Sequence, residues 1–155
     1  AYQGVAGITY GAEDGCFHRG PAVRVAAITD GTSNTLLAGE RPPGPGGDYG
    51  GWYAGWGASI CPFAQVLPVG LNSWMPANQV CPYADRAFRP GSIADPCDVN
   101  HYWSPHPGGA NFALADGSVR FLTYAADPLM PALATRAGGE PAAVPEGDPR
   151  PAEEP

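Results

Sequence analysis

Apolar and polar positions alternate most clearly between residues 110 and 122. Asn111, Ala113 and Ala115 alternate with Phe112 and Leu114, and Val119, Phe121 and Leu122 resume the apolar pattern after Asp116-Gly117. A period of two puts successive side chains on opposite faces of a sheet, so this stretch predicts two strands. Asp-Gly between alternating runs predicts the hairpin turn that joins them, because both residues tolerate positive φ. Shorter patterns predict further strands. Residues 2–10 read as an edge strand and loop, and Cys16-Phe17-His18 as a short strand after an Asp14-Gly15 turn. Val23, Val25 and Ala27 alternate with Arg24 and Ala26 as a half-buried strand, and residues 35–38 form another, ended by Gly39-Glu40. In residues 49–56, Trp52 and Trp56 would share one strand face with Tyr53 opposite.

One helix is predicted. Asp127 can cap it, Pro128 suits its first turn, Leu129, Leu133 and Ala137 fall near one face, and Gly138-Gly139 stop it. Between the strands, Asp30-Gly31-Thr32-Ser33-Asn34 is a turn or cap segment, since short polar side chains bond nearby backbone N–H groups. Residues 41–47 are a loop rich in proline and glycine. Residues 60–91 lack periodicity, hold five prolines and read as a long loop. Past Glu140 the chain is mostly Pro, Ala, Glu, Gly and Asp, too poor in apolar residues to order itself. The division expected is a folded domain over 1–140 and a disordered tail over 141–155.

Composition sharpens this picture. The 155 residues include 22 glycines and 19 prolines, which favours turns and long loops over long helices. The fold class expected is α+β, an antiparallel sheet with a short C-terminal helix. The formal net charge of −7 argues against nucleic acid and anionic membrane surfaces as partners, since both need a basic patch. No run of about 18 apolar residues is present, so no membrane span is expected in this stretch. Cys16, Cys61, Cys81 and Cys97 are even in number and lack Cys-x-x-Cys spacing, which favours disulfides in an oxidising compartment. Of the three pairings open to four cysteines, Cys81–Cys97 with Cys16–Cys61 is preferred, because the first closes the loop before His101.

Three segments together resemble a known family. They are Ile28-Thr29-Asp30-Gly31-Thr32-Ser33-Asn34-Thr35-Leu36-Leu37-Ala38-Gly39-Glu40, the block from His106 to Gly117 with nine residues between His106 and Asp116, and Ala132 to Glu140. Their order resembles bacterial prepilin-like proteins of unknown function with a C-terminal His, nine residues, Asp-Gly signature. That family is similar to type II secretion pseudopilins. The resemblance implies a pseudopilin-type β-rich head, an extracytoplasmic place in the envelope, periplasm or cell surface, and envelope or pilin-like proteins as partners. The leader and long helix of such proteins are not in these 155 residues, so the resemblance covers the head alone. Its signature residues are Asp30, Gly31, Thr32, Asn34, Glu40, His106, Asn111, Asp116 and Gly117.

Candidate chemistry is weighed against plainer roles. His106 and Asp116 could form an acid/base couple, but a regular hairpin puts Asp116 at its tip and His106 before its first strand, which favours structural roles. Asp30, Asn34 and Asp116, with oxygens from Thr32 and Glu40, are the candidate cation ligands. Calcium is the candidate ion, since pseudopilin heads use it in a β-loop and it takes several oxygen donors on a bent loop. EF-hand spacing is absent, and no other cofactor is expected. No Gly-x-Ser-x-Gly elbow or phosphate-binding glycine loop occurs, and the histidines lack His-x-x-x-His spacing, so an enzyme is not expected. Non-enzymatic assembly is the favoured function. The alternative is a ligand- or glycan-binding module whose surface uses Trp52, Tyr53, Trp56 and Trp74, since exposed aromatics stack well on sugars and partners.

Overall fold

The computed structural model describes residues 2–8, 14–17, 21–42, 63–65 (backbone only), 87–95, 97–98, 101–140 and 142–145. Five strands form one sheet: β1 (Tyr2–Gly7), β2 (Leu36–Glu40), β3 (Phe63–Gln65), β4 (Gly109–Leu114) and β5 (Val119–Thr123), in the order β3-β1-β2-β4-β5. β1, β2, β4 and β5 are antiparallel neighbours, as an α+β fold requires. β3 departs from this by pairing parallel to β1, and it lies inside the stretch expected to be loop.

The hairpin forms where the alternation predicts, but on β5 only Leu122 is buried, while Val119 is exposed and Phe121 half-buried opposite Ala113 and Asn111. Ala110, Phe112 and Leu114 are buried on β4, and Leu122 opposite Ala110 is buried on β5. Its turn is shifted by one residue. The Gly117 N–H donates to the Leu114 carbonyl at 3.0 Å, so Gly117 is the fourth turn residue, with φ +86°. The Leu114 N–H closes the loop on the Ser118 carbonyl at 2.9 Å. This is the glycine place of a turn followed by a G1 bulge, where only one residue needs positive φ.

The core lies on one face of the sheet. Phe112 is fully buried between Phe88, edge-on at 5.3 Å between ring centroids, and Tyr102 at 5.6 Å. Burying such a side chain stabilises by about 1.5–3 kcal/mol. Gly39 on β2 leaves the space these rings need: a Cβ there would lie 2.3 Å from Phe112 Cε1 and 2.9 Å from Tyr102 Cδ1. The Tyr102 hydroxyl donates to the Gly4 carbonyl at 3.0 Å, tying the approach to the hairpin onto β1. Met130, Leu133 and Ala134 of the helix α1 (Met130–Ala134) complete the core beside Leu36, Val5 and Ala126.

Several expectations are corrected. β1 is interior rather than an edge, and residues 3–7 are all buried: β2 and β3 flank it, and the Gly15 and Phe17 N–H groups donate to the Ala6 and Val5 carbonyls at 3.0 and 2.9 Å. Val25–Ala27 is a short 3-10 helix, not a strand. Val25 is 69% exposed, and alternation fixes a strand only where one face is buried. The predicted helix is a 3-10 stretch (Tyr124–Leu129) followed by α1, and it stops at Ala134 because Thr135 is extended (φ −88°, ψ 149°). Asp127 does not cap it; its carboxylate accepts the Phe88 N–H instead. Ala142 and Val144 are partly buried against the core.

Candidate functional site

The residues on which the resemblance rests gather at the two ends of the β2–β4–β5 unit. At one end stands Glu40, the last residue of β2. Its Oε2 accepts the Asn111 main-chain N–H at 2.6 Å and the Asn111 Nδ2 at 3.1 Å, and its Oε1 accepts the Tyr2 hydroxyl at 3.3 Å. His106 Nε2 lies 3.5 Å from the same Oε1. The loop before β4 sets this position. Ser104 Oγ donates to the Gly109 carbonyl at 2.7 Å and accepts the His106 N–H at 3.0 Å, while Gly108 turns with φ +81°. Tyr124 braces the loop from β5's side, its N–H on the Gly108 carbonyl at 2.9 Å and its hydroxyl on the Ser104 carbonyl at 3.3 Å.

Electrostatics keep both phenols as donors. Burial first, and then the Glu40 charge and hydrogen bond, push the Tyr2 hydroxyl above its ordinary range. Burial also pushes Tyr124 up, opposed by its bond to Ser104 and assisted by the Glu40 charge. The Glu40 side chain is 13% exposed and that of His106 is 56% exposed. Glu40 thus joins the end of β2 to β4 and to Tyr2 through three hydrogen bonds.

At the other end, the turn around Gly31 (φ +95°) meets the hairpin tip. The Asp116 N–H donates to the Thr32 carbonyl at 3.0 Å and the Ala115 N–H to the Thr35 carbonyl at 2.9 Å. The Asp116 carboxylate is spent on its own turn, accepting the Ser118 N–H at 2.8 Å. Its hydrogen bonds to Ser118 lower its pKa from the ordinary value. Asp30 reaches the third signature segment. Its carboxylate accepts the Gly138 N–H at 2.7 Å, the Gly139 N–H at 3.0 Å and the Thr135 hydroxyl at 3.3 Å. Asn34 Oδ1 accepts the Val144 N–H at 3.4 Å.

These contacts place the sequence-based candidates. His106 and Asp116 are not a dyad: they lie at opposite ends of β4, whose five residue steps span about 17 Å. Nine intervening residues measure one strand plus its approach and its turn. The carboxylate of Asp30 and Oδ1 of Asn34 accept N–H groups of residues 138, 139 and 144, and Asp116 Oδ1 accepts the Ser118 N–H. Among the described residues no group of three or more His, Cys, Asp or Glu could hold a metal ion. Cys16 is a free thiol, so the expected bridge to Cys61 is not formed; burial pushes its pKa up against the nearby Arg136 charge. Cys97 is buried and disulfide-bonded, and Cys81, its expected partner, lies outside the described residues. Cys61, Trp52, Tyr53, Trp56 and Trp74 lie outside them as well.

Sequence reading considered His101 with Asp98 but missed Arg89, which is half-buried beside them. The local signal of the group is an Asp three residues before a His, too common a spacing to single out. Among the described residues no helix is long and apolar enough to cross a membrane.

A comparison with protein families finds one whose description is "Protein of unknown function (DUF1559)", and it matches residues 3–129. No curated protein and no solved structure matches the chain. The match begins in β1 and ends in the 3-10 stretch before α1, so it spans every strand of the sheet.

Proposed function

Because the chain belongs to the DUF1559 family of proteins of unknown function, we propose that it works by assembly rather than catalysis, as the extracytoplasmic head of a prepilin-like protein. In this reading its partners are other envelope or pilin-like proteins, and a Cys81–Cys97 bridge holds the long loop in an oxidising compartment. One observation carries the proposal. The signature side chains that set Glu40 against Asn111 and His106, and Asp30 against residues 135–139, are engaged in joining distant segments. A signature used this way describes a frame, and a frame's function lies in the surfaces it holds out to partners.

The test is the native protein in its own cells. Fractionation, intact mass and N-terminal sequencing would be combined with crosslinking. Recovery in the envelope or outside the cell, with a processed leader, an N-terminal apolar helix and crosslinks to similar proteins, supports the proposal. A cytoplasmic product without such a helix refutes it.

A further inference from the structure

β5 is the last strand of the sheet, with β4 on one side of it. The Leu114 N–H donates to the Ser118 carbonyl and the Tyr124 N–H to the Gly108 carbonyl, each at 2.9 Å. Hydrogen-bonded pairs in an antiparallel ladder recur at every second residue, so Arg120 and Leu122 also turn their main-chain groups toward β4. Val119, Phe121 and Thr123 turn theirs the other way. Among the described residues nothing bonds those outward N–H and C=O groups. The side chains leave this edge open as well: Val119 is 64% exposed, Arg120 is exposed and Phe121 is half-buried.

An open edge is a template for another strand, and proteins that stay apart blunt theirs with proline, charges or very short strands. β5 has no proline and a single charge, Arg120. We propose that β5 is a self-association edge: two copies of this chain pair β5 with β5, antiparallel about a two-fold axis at Phe121, so that one sheet continues through both.

The occupant follows from the symmetry of the edge. In this register Phe121 lies opposite the partner's Phe121, and Val119 opposite the partner's Thr123. The outward groups are evenly spaced about Phe121, so every outward N–H of one copy meets an outward C=O of the other, while a shifted register leaves some unpaired. The two Phe121 rings lie side by side on the face away from the core, and cross-strand aromatic pairs add stability. Charge agrees. The net charge is −7, yet β5 holds no carboxylate, so two acidic molecules meet here without setting acid against acid. Arg120 falls opposite the partner's Leu122, not opposite the partner's Arg120. Strands of five residues bury less than the roughly 1,200 Å² of a standard stable interface, so the pair is weak and forms where copies are held side by side. It names a partner for the assembly proposed above and rests on that reading only for the crowding of copies, so it can fail in solution while the cellular test of that reading stands.

Sedimentation equilibrium of the full chain, from about 20 μM to about 2 mM, reads the mass, and amide NMR over the same range reads the place. The average mass should climb from one chain toward two, with half the chains paired between about 0.1 and about 1 mM. The amide signals of Val119, Phe121 and Thr123 should shift with concentration and exchange more slowly with solvent. Those of Arg120 and Leu122, already bonded to β4, should change less. Val119→Asp sets a carboxylate on the exposed edge of each copy and should weaken pairing at least about tenfold. The mass of one chain throughout, concentration-dependent shifts confined to other residues, or undiminished pairing in Val119→Asp overturns the proposal. If Val119→Asp does not fold, the alternating amide pattern in the wild type decides: its presence supports the pairing and its absence refutes it.

Discussion

Truncating Glu40 separates a structural frame from a reactive site. In Glu40→Ala the Asn111 main-chain N–H loses its acceptor at 2.6 Å, and Asn111 Nδ2, the Tyr2 hydroxyl and His106 lose theirs at 3.1, 3.3 and 3.5 Å. Leaving a partly buried N–H without an acceptor costs about 1–3 kcal/mol. Tyr2 is 57% exposed and the His106 side chain 56%, so water replaces much of what those two contacts supply, and the His106 pair contributes about 0–1 kcal/mol. The expected loss for Glu40→Ala is about 2–4 kcal/mol, a large share of the roughly 5–15 kcal/mol that holds a typical domain folded. Glu40→Gln keeps one acceptor oxygen but turns a donor toward other donors, and should cost about 1–2 kcal/mol. His106→Ala should cost less than about 1 kcal/mol. Equilibrium urea unfolding gives all three as midpoint shifts at constant slope. The reasoning fails if Glu40→Ala lies within about 0.5 kcal/mol of wild type, or if His106→Ala costs as much as Glu40→Ala.

Further outcomes follow from the same contacts. Gly39→Ala drives a methyl group into the Phe112 and Tyr102 rings and should lower stability by about 1–3 kcal/mol, read by urea unfolding. Asp30→Ala frees the Gly138 and Gly139 N–H groups and should make the Arg136–Ala137 bond more sensitive to trypsin, with a global cost of about 1 kcal/mol because those glycines are exposed. Burial alone would raise Asp98, but its bonds to His101 and Ser92 and the charges of His101 and Arg89 outweigh that, so its folded pKa lies below 3.8. Its contribution is therefore full at neutral pH and lost as pH falls from 3.8 through the folded value; Asp98→Asn should flatten that limb of the stability profile. The half-buried Cys16 thiol, pushed up by burial, should alkylate with iodoacetamide more slowly in the folded protein than in urea, as peptide mass mapping would show.

The hairpin was legible in the sequence because everything that makes it is local. Alternation chose the buried face of Ala110, Phe112 and Leu114, and glycine at 117 met a positive φ that other residues resist. The signature segments were legible as segments, but their roles were not. Glu40 and Asn111 are 71 positions apart and Asp30 and Gly138 are 108 apart, and no spacing rule predicts which side chain will face which backbone group across such distances. Reading His106 with Asp116 failed for that reason: sequence proximity suggested a pair, while the strand between them holds them apart and gives His106 to Glu40 instead.

The amino-acid order by itself determined where the hairpin lies, which face of β4 is apolar and which family the domain belongs to, since these depend on near neighbours and on motif order. Tertiary structure alone decided that β1 lies inside the sheet, that β3 runs parallel beside it, and that Val25–Ala27 is no strand. It also decided that His101 is buried between two acceptors. Each of these depends on what packs opposite a residue, and burial and long-range hydrogen bonds override local preference whenever the two conflict.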